Sequence, residues 1–118
     1  MSERNLYDLS QRLAEFARER DWEQFHSPKN LAMALAGESG ELLEHFQWLS
    51  EPQSAALAAD KKDAVALEMA DILIYLLRLS ERLDIDLLDA AYRKTAINAQ
   101  RYPVDKVKGD ARRADEYD

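Results

Sequence analysis

The sequence predicts an all-α fold, and three observations support this. Only three glycines and three prolines occur in 118 residues. No stretch alternates apolar and polar residues for long enough to suggest a half-buried strand. Apolar residues instead recur at the three- and four-residue spacing of a helix face. We therefore expect a four-to-five-helix bundle that is completed by oligomerisation and followed by a mobile charged tail.

The helices of the first half can be bounded from local signals. The first predicted helix runs roughly from Asn5 to Arg20. The second runs from Pro28 to about Leu49, because Ser27 can cap free backbone N–H groups and proline loses no hydrogen bond at the first helical position. Ser50-Glu51-Pro52 is expected to break that helix.

The second half contains two further predicted helices. Residues 53–60 are rich in alanine and form either a short helix or the lead-in to the next one. The third predicted helix spans about Lys61 to Leu83 and is apolar almost all round, which suits a central element or one shared with a second subunit. The fourth begins near Asp86 and ends before Pro103, since the residue ahead of a proline is pushed out of the helical region. We expect one domain over residues 1–103 and a flexible charged tail over 104–118.

Composition and charge exclude several classes of protein. With 47% apolar and 33% charged residues, the chain can bury a core. Its net charge of −7 disfavours binding to nucleic acid. It has no cysteine, so any metal must be held by oxygen or imidazole ligands. No apolar run approaches the length of a membrane span, so we expect no membrane partner and a cytoplasmic location.

Two predicted helices carry pairs of acidic residues. The members of each pair are three residues apart and therefore project from one side of a helix. In helical projection both pairs border an apolar stripe and are expected to face inward, whereas Glu44 and Glu51 are expected to be solvated. The paired residues are Glu38, Glu41, Glu68 and Asp71.

Inward-facing carboxylates must be neutralised, since leaving each one unpaired costs several kcal/mol. Basic residues are scarce on these faces, and Arg78 and Arg82 are the nearest candidates. Mg²⁺ or Mn²⁺ with oxygen ligands is the simpler explanation. Gly37 and Gly40 lie in the same predicted helix and are expected to mark close packing against another backbone.

Two other functions must be weighed. A di-iron carboxylate bundle needs a Glu-x-x-His pair on each of two helices, and the chain has one such pair, Glu23 and His26, in a connector. The missing second pair excludes a di-iron oxidase of this kind. A non-enzymatic oligomeric helical scaffold or interaction protein stays open, with the acidic residues in salt bridges. Mg²⁺ binding distinguishes a metal-dependent enzyme from a scaffold.

Five motifs in order give the sequence a resemblance to a known family. It resembles the MazG-like, all-α nucleoside triphosphate pyrophosphohydrolases over about residues 12–103, and within them the small dCTP pyrophosphatase branch. The motifs are Arg20-Asp21-Trp22-Glu23-Gln24-Phe25-His26-x-Pro28-x-Asn30-Leu31, Gly37-Glu38-x-Gly40-Glu41-Leu42, Phe46-Gln47-Trp48, Asp71-Ile72-Leu73-Ile74-Tyr75-Leu76 and Lys94-x3-Asn98-x2-Arg101-Tyr102-Pro103.

The resemblance implies a reaction and a metal. The reaction is hydrolysis of a nucleoside triphosphate to the monophosphate and pyrophosphate, in nucleotide-pool sanitation. dCTP or a modified dCTP is the leading substrate, while dUTP or a broader set stays open. The resemblance implies Mg²⁺, replaceable by Mn²⁺, held by Glu38, Glu41, Glu68 and Asp71. Glu41 is the candidate to orient or deprotonate the attacking water, with Glu38 as the alternative.

The resemblance also implies a nucleotide pocket. Trp22, His26 and Trp48 match positions that enclose a pyrimidine, and Tyr75 matches one near the sugar or phosphates. Capping of the core remains the alternative for Trp22. Choice of cytosine requires a group that accepts a hydrogen bond from the exocyclic amine, either a backbone carbonyl or a side chain such as His26. The matching positions for the phosphates are Lys94, Asn98, Arg101 and Tyr102.

His45 lies outside the matching motifs and is expected to be a surface or hydrogen-bonded histidine.

The apolar faces of the third predicted helix indicate that the chain assembles with further copies. In projection Leu73 and Leu77 lie opposite the acidic side of the third predicted helix, and a single small subunit is unsuited to cover both faces. The resemblance implies a homo-oligomer, a tetramer built as a dimer of dimers, with a simple dimer as the alternative.

Overall fold

A computed structural model of the chain describes residues 4–116. The regular secondary structure in this range consists of helices, with no strand. None of the described helices is long and apolar enough to cross a membrane. A single turn of 3₁₀-helix spans Glu23–Phe25, and another spans Ala114–Glu116. The α-helices are α1 (Leu6–Glu19), α2 (Pro28–Glu44), α3 (Glu51–Ser54), α4 (Ala59–Arg82), α5 (Leu87–Arg101) and α6 (Val104–Val107).

The chain divides into two compact units between Ile85 and Asp86. In the first unit α1 and α2 both pack on α4, which confirms that the third predicted helix is a central element. Its buried apolar side chains are Ala14, Ala17, Leu31, Val65 and Leu77. The second unit contains α5 and α6.

Side-chain caps explain where the helices begin. The side chain of Ser27 accepts a hydrogen bond from the backbone N–H of Asn30, and Pro28 occupies the first helical position, as the sequence predicts. Asp86 caps α5 by accepting from the backbone N–H of Asp89. The predicted starts of these two helices are confirmed.

Helices α1 and α4 end in the same way, each followed by an aspartate whose backbone is in the left-handed region. Asp21 follows α1 with a φ of 55°, and Asp84 follows α4 with a φ of 55°. Beyond each aspartate, the next backbone N–H bonds to a carbonyl five residues earlier, Trp22 to Ala17 and Ile85 to Ser80. This is the Schellman arrangement, with aspartate where glycine is usual. It fixes the direction in which the chain leaves α1 toward Trp22.

The predicted end of the second helix at Leu49 is wrong, because α2 ends at Glu44. The N–H groups of His45 and Phe46 bond to carbonyls three residues earlier, which tightens the chain out of the α-helix. Ser50 then adopts an extended conformation to form a capping box with Gln53. The expected break at 50–52 is therefore the start of α3, with proline in its first turn.

The remaining boundaries differ by little. The short helix expected within residues 53–60 lies earlier, at Glu51–Ser54, and residues 55–58 are not helical. α4 begins at Ala59, two residues before the predicted start. Leu77 is only 3% exposed, so it packs inside the first unit and cannot face a second subunit as expected. Within the predicted tail, α6 and the last 3₁₀ turn are additional structure, and Tyr117 and Asp118 lie outside the described residues.

Candidate active site

Packing of α2 on α4 brings three carboxyl groups together. Glu38, Glu41 and Glu68 each offer one oxygen, and these oxygens lie within 4.8 Å of one another. Glu38, Glu68 and Asp71 are half-buried, whereas Glu41 is exposed. Glu41 is more exposed than an inward-facing residue is expected to be, but one of its carboxyl oxygens still joins the cluster. Water can therefore reach the cluster at Glu41.

Two buried oxygen atoms of the cluster lack hydrogen-bond donors among the described residues. These are the Oε2 atoms of Glu38 and Glu68. Burial, followed by the carboxyl groups of Glu41, Glu68 and Asp71, raises the pKa of Glu38 to about 7. Buried carboxylate oxygens without donors fit a cation, so the cluster can hold a metal ion.

The two arginines that the sequence offered as neutralising partners serve elsewhere. Arg78 donates to Oε2 of Glu81 at 3.0 Å and contacts the ring of His26. Arg82 donates to the backbone carbonyl of His26 at 3.1 Å. Neither residue has a salt bridge to the carboxyl cluster among the described contacts.

His45 is a site residue that sequence reasoning missed. Its Nε2 lies 4.0 Å from Oε1 of Glu68. The signal was present, because His45 is seven residues after Glu38 and therefore only about 20° away around a helix. Because His45 lies outside the family motifs, the resemblance gives it no role in the site. Half-buried beside Glu68, it borders the cluster rather than a bare surface.

The glycines of α2 do not mark close packing within this chain. A Cβ atom built on Gly37 or on Gly40 meets no heavy atom within 4 Å. The expectation of a crowded site at these positions is wrong for the described residues, because the glycines lie on a part of α2 that the other helices leave open.

The aromatic candidates occupy two different settings. Trp22 is 43% exposed, and its ring lies 5.7 Å from that of Phe16 and 6.3 Å from that of His26, both edge-on. Trp48 is 86% exposed, so it forms no part of the core of this chain. Tyr75 is half-buried on α4, one turn after Asp71. An exposed indole can stack on a nucleobase.

The expected phosphate-binding residues belong to the second unit. Lys94, Asn98 and Arg101 lie on α5 at spacings of four and three residues, with exposed side chains. Tyr102 caps the C-terminus of this helix, and the guanidinium of Arg101 lies 5.8 Å from the centre of its ring. These residues form one basic and polar group along the helix.

Curated relatives match most of the chain. Mouse dCTP pyrophosphatase 1 is 49% identical over 111 residues, which are 92% of this chain. Human dCTP pyrophosphatase 1 is 44% identical over 113 residues, or 94% of this chain. The chain spans about 65% of the length of the mouse relative and 66% of the human one.

A solved structure and a family model agree with these relatives. A pyrophosphatase from Archaeoglobus fulgidus is 38% identical and superposes with a TM-score of 0.80, covering 87% of this chain and 96% of that one. The model of the MazG-like family matches residues 34–116, which include the whole carboxyl cluster. The family that the motifs suggested is thereby confirmed, and the chain belongs to the MazG-like family.

Proposed function

We propose that this protein is a metal-dependent nucleoside triphosphate pyrophosphohydrolase, which converts dCTP or a modified dCTP to the monophosphate and pyrophosphate. The observation that carries this proposal is the group of three carboxyl oxygens within 4.8 Å, two members of which leave a buried oxygen without a donor. The similarity to dCTP pyrophosphatases of mouse and human supports the choice of substrate.

Glu38, Glu68, Glu41 and Asp71 are the residues that would hold Mg²⁺, with Mn²⁺ as a substitute. When bound, the cation supplies neutralisation of the negative charge on the triphosphate. The buried oxygens of Glu38 and Glu68 suit this role, because no protein donor competes for them.

Glu41 is suited to handle the water. It is the exposed member of the cluster, so a water molecule can reach its carboxylate. There the carboxylate orients the water and accepts one proton as the water oxygen bonds to the α-phosphorus. The bond from that phosphorus to the bridging oxygen breaks, and pyrophosphate leaves with the electron pair. Glu38 is the alternative proton acceptor.

Aromatic and basic side chains would bind the rest of the nucleotide. We propose that Trp22 and Trp48 stack on the base with His26 beside them, and that Tyr75 lies near the sugar or phosphates. The phosphates are assigned to the polar group of α5, Lys94, Asn98, Arg101 and Tyr102. We further propose a cytoplasmic homo-oligomer, a dimer of dimers, in line with the exposed apolar residues of α4.

The scaffold alternative requires the acidic residues to be paired in salt bridges. Among the described residues the cluster has one ion-pair partner, His45, whose Nε2 lies 4.0 Å from Oε1 of Glu68. Arg78 and Arg82 contact His26 and Glu81 instead, and the buried oxygens of Glu38 and Glu68 have no donor within residues 4–116. This arrangement favours the metal-dependent enzyme.

The test is turnover of a panel of ribo- and deoxynucleoside triphosphates with Mg²⁺, scoring pyrophosphate against orthophosphate. We expect dCTP to release pyrophosphate and Glu41→Gln to abolish turnover without unfolding the protein. Glu44→Gln is the matched control, because Glu44 is exposed on the same helix outside the cluster, and it should retain activity. Orthophosphate as the first product, or activity in chelator, contradicts the proposal.

A further inference from the structure

A second polar cluster joins the 3₁₀ turn to α4 and uses none of the four carboxylates. Arg78 is only 3% exposed, and both its Nε and Nη2 atoms lie 3.4 Å from Nδ1 of His26. Glu81 accepts from the same guanidinium. Arg82 donates to the backbone carbonyl of His26 at 3.1 Å. Two arginines therefore hold one histidine, one by its ring and the other by its main chain.

The chemistry of arginine decides where the proton of His26 resides. A guanidinium has five N–H donors and no acceptor, and it stays charged at every pH that a folded protein meets. A ring nitrogen that faces it can only accept a hydrogen bond. Nδ1 must therefore be bare, and the neutral imidazole must carry its hydrogen on Nε2.

We propose that Arg78 is a positioning residue that fixes His26 as the Nε2–H tautomer, so that His26 offers a bound nucleobase a hydrogen-bond donor and no acceptor. The part of this inference that concerns the base rests on the proposed function. Such a donor matches a carbonyl oxygen of a pyrimidine. It cannot accept from the exocyclic amine of cytosine, the role that the sequence alone left open for His26.

The surroundings of the ring agree with this assignment. Burial, then the charges of Arg78 and Arg82, lower the pKa of His26, while Glu23 acts in the opposite direction. In residues 4–116 no group hydrogen-bonds to Nε2. The ring lies beside that of Trp22, where the proposed base would stack. The Nε2–H is therefore available to a ligand at this position.

If His26 cannot accept a hydrogen bond, another group must recognise the exocyclic amine of cytosine. Of the two acceptors considered for the amine, the backbone carbonyl remains. His26 then contributes affinity for every pyrimidine that presents a carbonyl oxygen to it, and discrimination against uracil comes from the main chain.

The first test is nitrogen NMR of the histidine rings in the full chain without nucleotide, with His26 assigned from the His26→Gln variant. We expect a bare Nδ1 and a protonated Nε2 in the neutral ring. Arg78→Lys should preserve this pattern, because lysine is also a donor without acceptor capacity. Arg78→Met should mix the two tautomers and raise the pKa of His26.

Arg82→Met is the matched control, since Arg82 contacts the backbone rather than the ring nitrogen, and Nδ1 should stay bare in it. A hydrogen on Nδ1 in the unmodified protein overturns the proposal. Because this measurement needs no variant other than that for assignment, it decides the question even if Arg78→Met does not fold.

The second test compares dCTP with an analogue that lacks the 4-amino group. Removing the amine should change kcat/KM by the same factor in the unmodified protein and in His26→Ala, since His26 does not contact the amine. A factor that falls to unity in His26→Ala overturns the proposal. A protein that hydrolyses no nucleotide contradicts the proposed function, while the NMR result still decides the tautomer.

Discussion

The charge of Glu38 affects the stability of the folded protein. Without a cation, its ionised form is opposed by burial and by the neighbouring carboxyl groups, which raise its pKa from 4.5 to about 7. A carboxyl group whose pKa is higher in the folded state holds its proton more tightly there than in the unfolded chain. Ionisation therefore weakens folding as the pH rises from 4.5 to 7, and the full cost applies above this window.

Because the pKa of Glu38 is raised, Glu38→Gln should change the stability of the protein in a pH-dependent way. In chelator the variant should be more stable than the unmodified protein at pH 8, because an amide does not ionise in the cluster. The difference should vanish near pH 4, where Glu38 is protonated in both states. Thermal unfolding across this pH range measures it, with Glu44→Gln as an exposed control on the same helix. A loss of stability at pH 8 would indicate that Glu38 is held by a protein cation instead.

Trp48 allows binding to be tested apart from folding. Since its side chain is 86% exposed, Trp48→Ala should leave the midpoint of unfolding unchanged. Loss of a stacking contact should raise KM for every accepted pyrimidine triphosphate by a similar factor, roughly 10-fold for about 1.4 kcal/mol. Steady-state kinetics on dCTP and dUTP checks this. Tyr7→Ala, at a 75% exposed aromatic of α1, is the control that should leave KM unchanged.

At the scale of the element, α2 depends on its first turn. The Ser27 hydroxyl satisfies the N–H of Asn30 at 3.1 Å, and the same helix carries two carboxylates of the cluster. Ser27→Ala should lower the free energy of unfolding by about 1 kcal/mol, whereas Ser27→Asp should retain the cap. Urea denaturation of both variants measures the difference. An equal loss of unfolding free energy in the two variants would show that the Ser27 hydroxyl stabilises the protein through a contact other than the helix cap.

The sequence was a good guide where one local rule decided the outcome. Ser27 with Pro28, and Asp86 at the start of α5, are complete signals within a few residues, so those helix starts were predictable. The three-residue spacing of Glu38 and Glu41 likewise placed them on one side of α2.

Contacts between elements were harder to predict. The exposure of Glu41 depends on how much of α2 is covered by α4, and the use of Arg78 depends on a histidine 52 residues earlier in the chain. The end of α2 was missed because tight turns at His45 and Phe46 compete with a helical pattern that runs on to Leu49. Helical periodicity describes one element at a time and carries no information on these contacts.

At the scale of the molecule, α4 leaves apolar side chains uncovered on the described chain. Leu67 is 63% exposed, Met69 is 57% exposed and Leu73 is 37% exposed, although this helix is the centre of its unit. Burying such surface contributes roughly 25 cal/mol per Å². We therefore expect a homo-oligomer at micromolar concentration, and sedimentation velocity is the measurement.

Leu67→Glu combined with Leu73→Glu should shift the protein toward the monomer, because association would then bury two unpaired carboxylates. Gln11→Glu adds one charge at an exposed position of α1 and serves as the control. A stable monomer of the unmodified protein contradicts the prediction.

The open space above Gly37 and Gly40 has a consequence for engineering. Because a methyl group meets nothing within 4 Å there, Gly37→Ala and Gly40→Ala should each stabilise a helix interior by roughly 0.5–1 kcal/mol, which calorimetry of the dilute protein can measure. A fall in Tm that grows with protein concentration would instead mean that a neighbouring molecule comes within a methyl radius of α2. Substitutions at Gly37 and Gly40 therefore report whether another molecule packs against this part of α2.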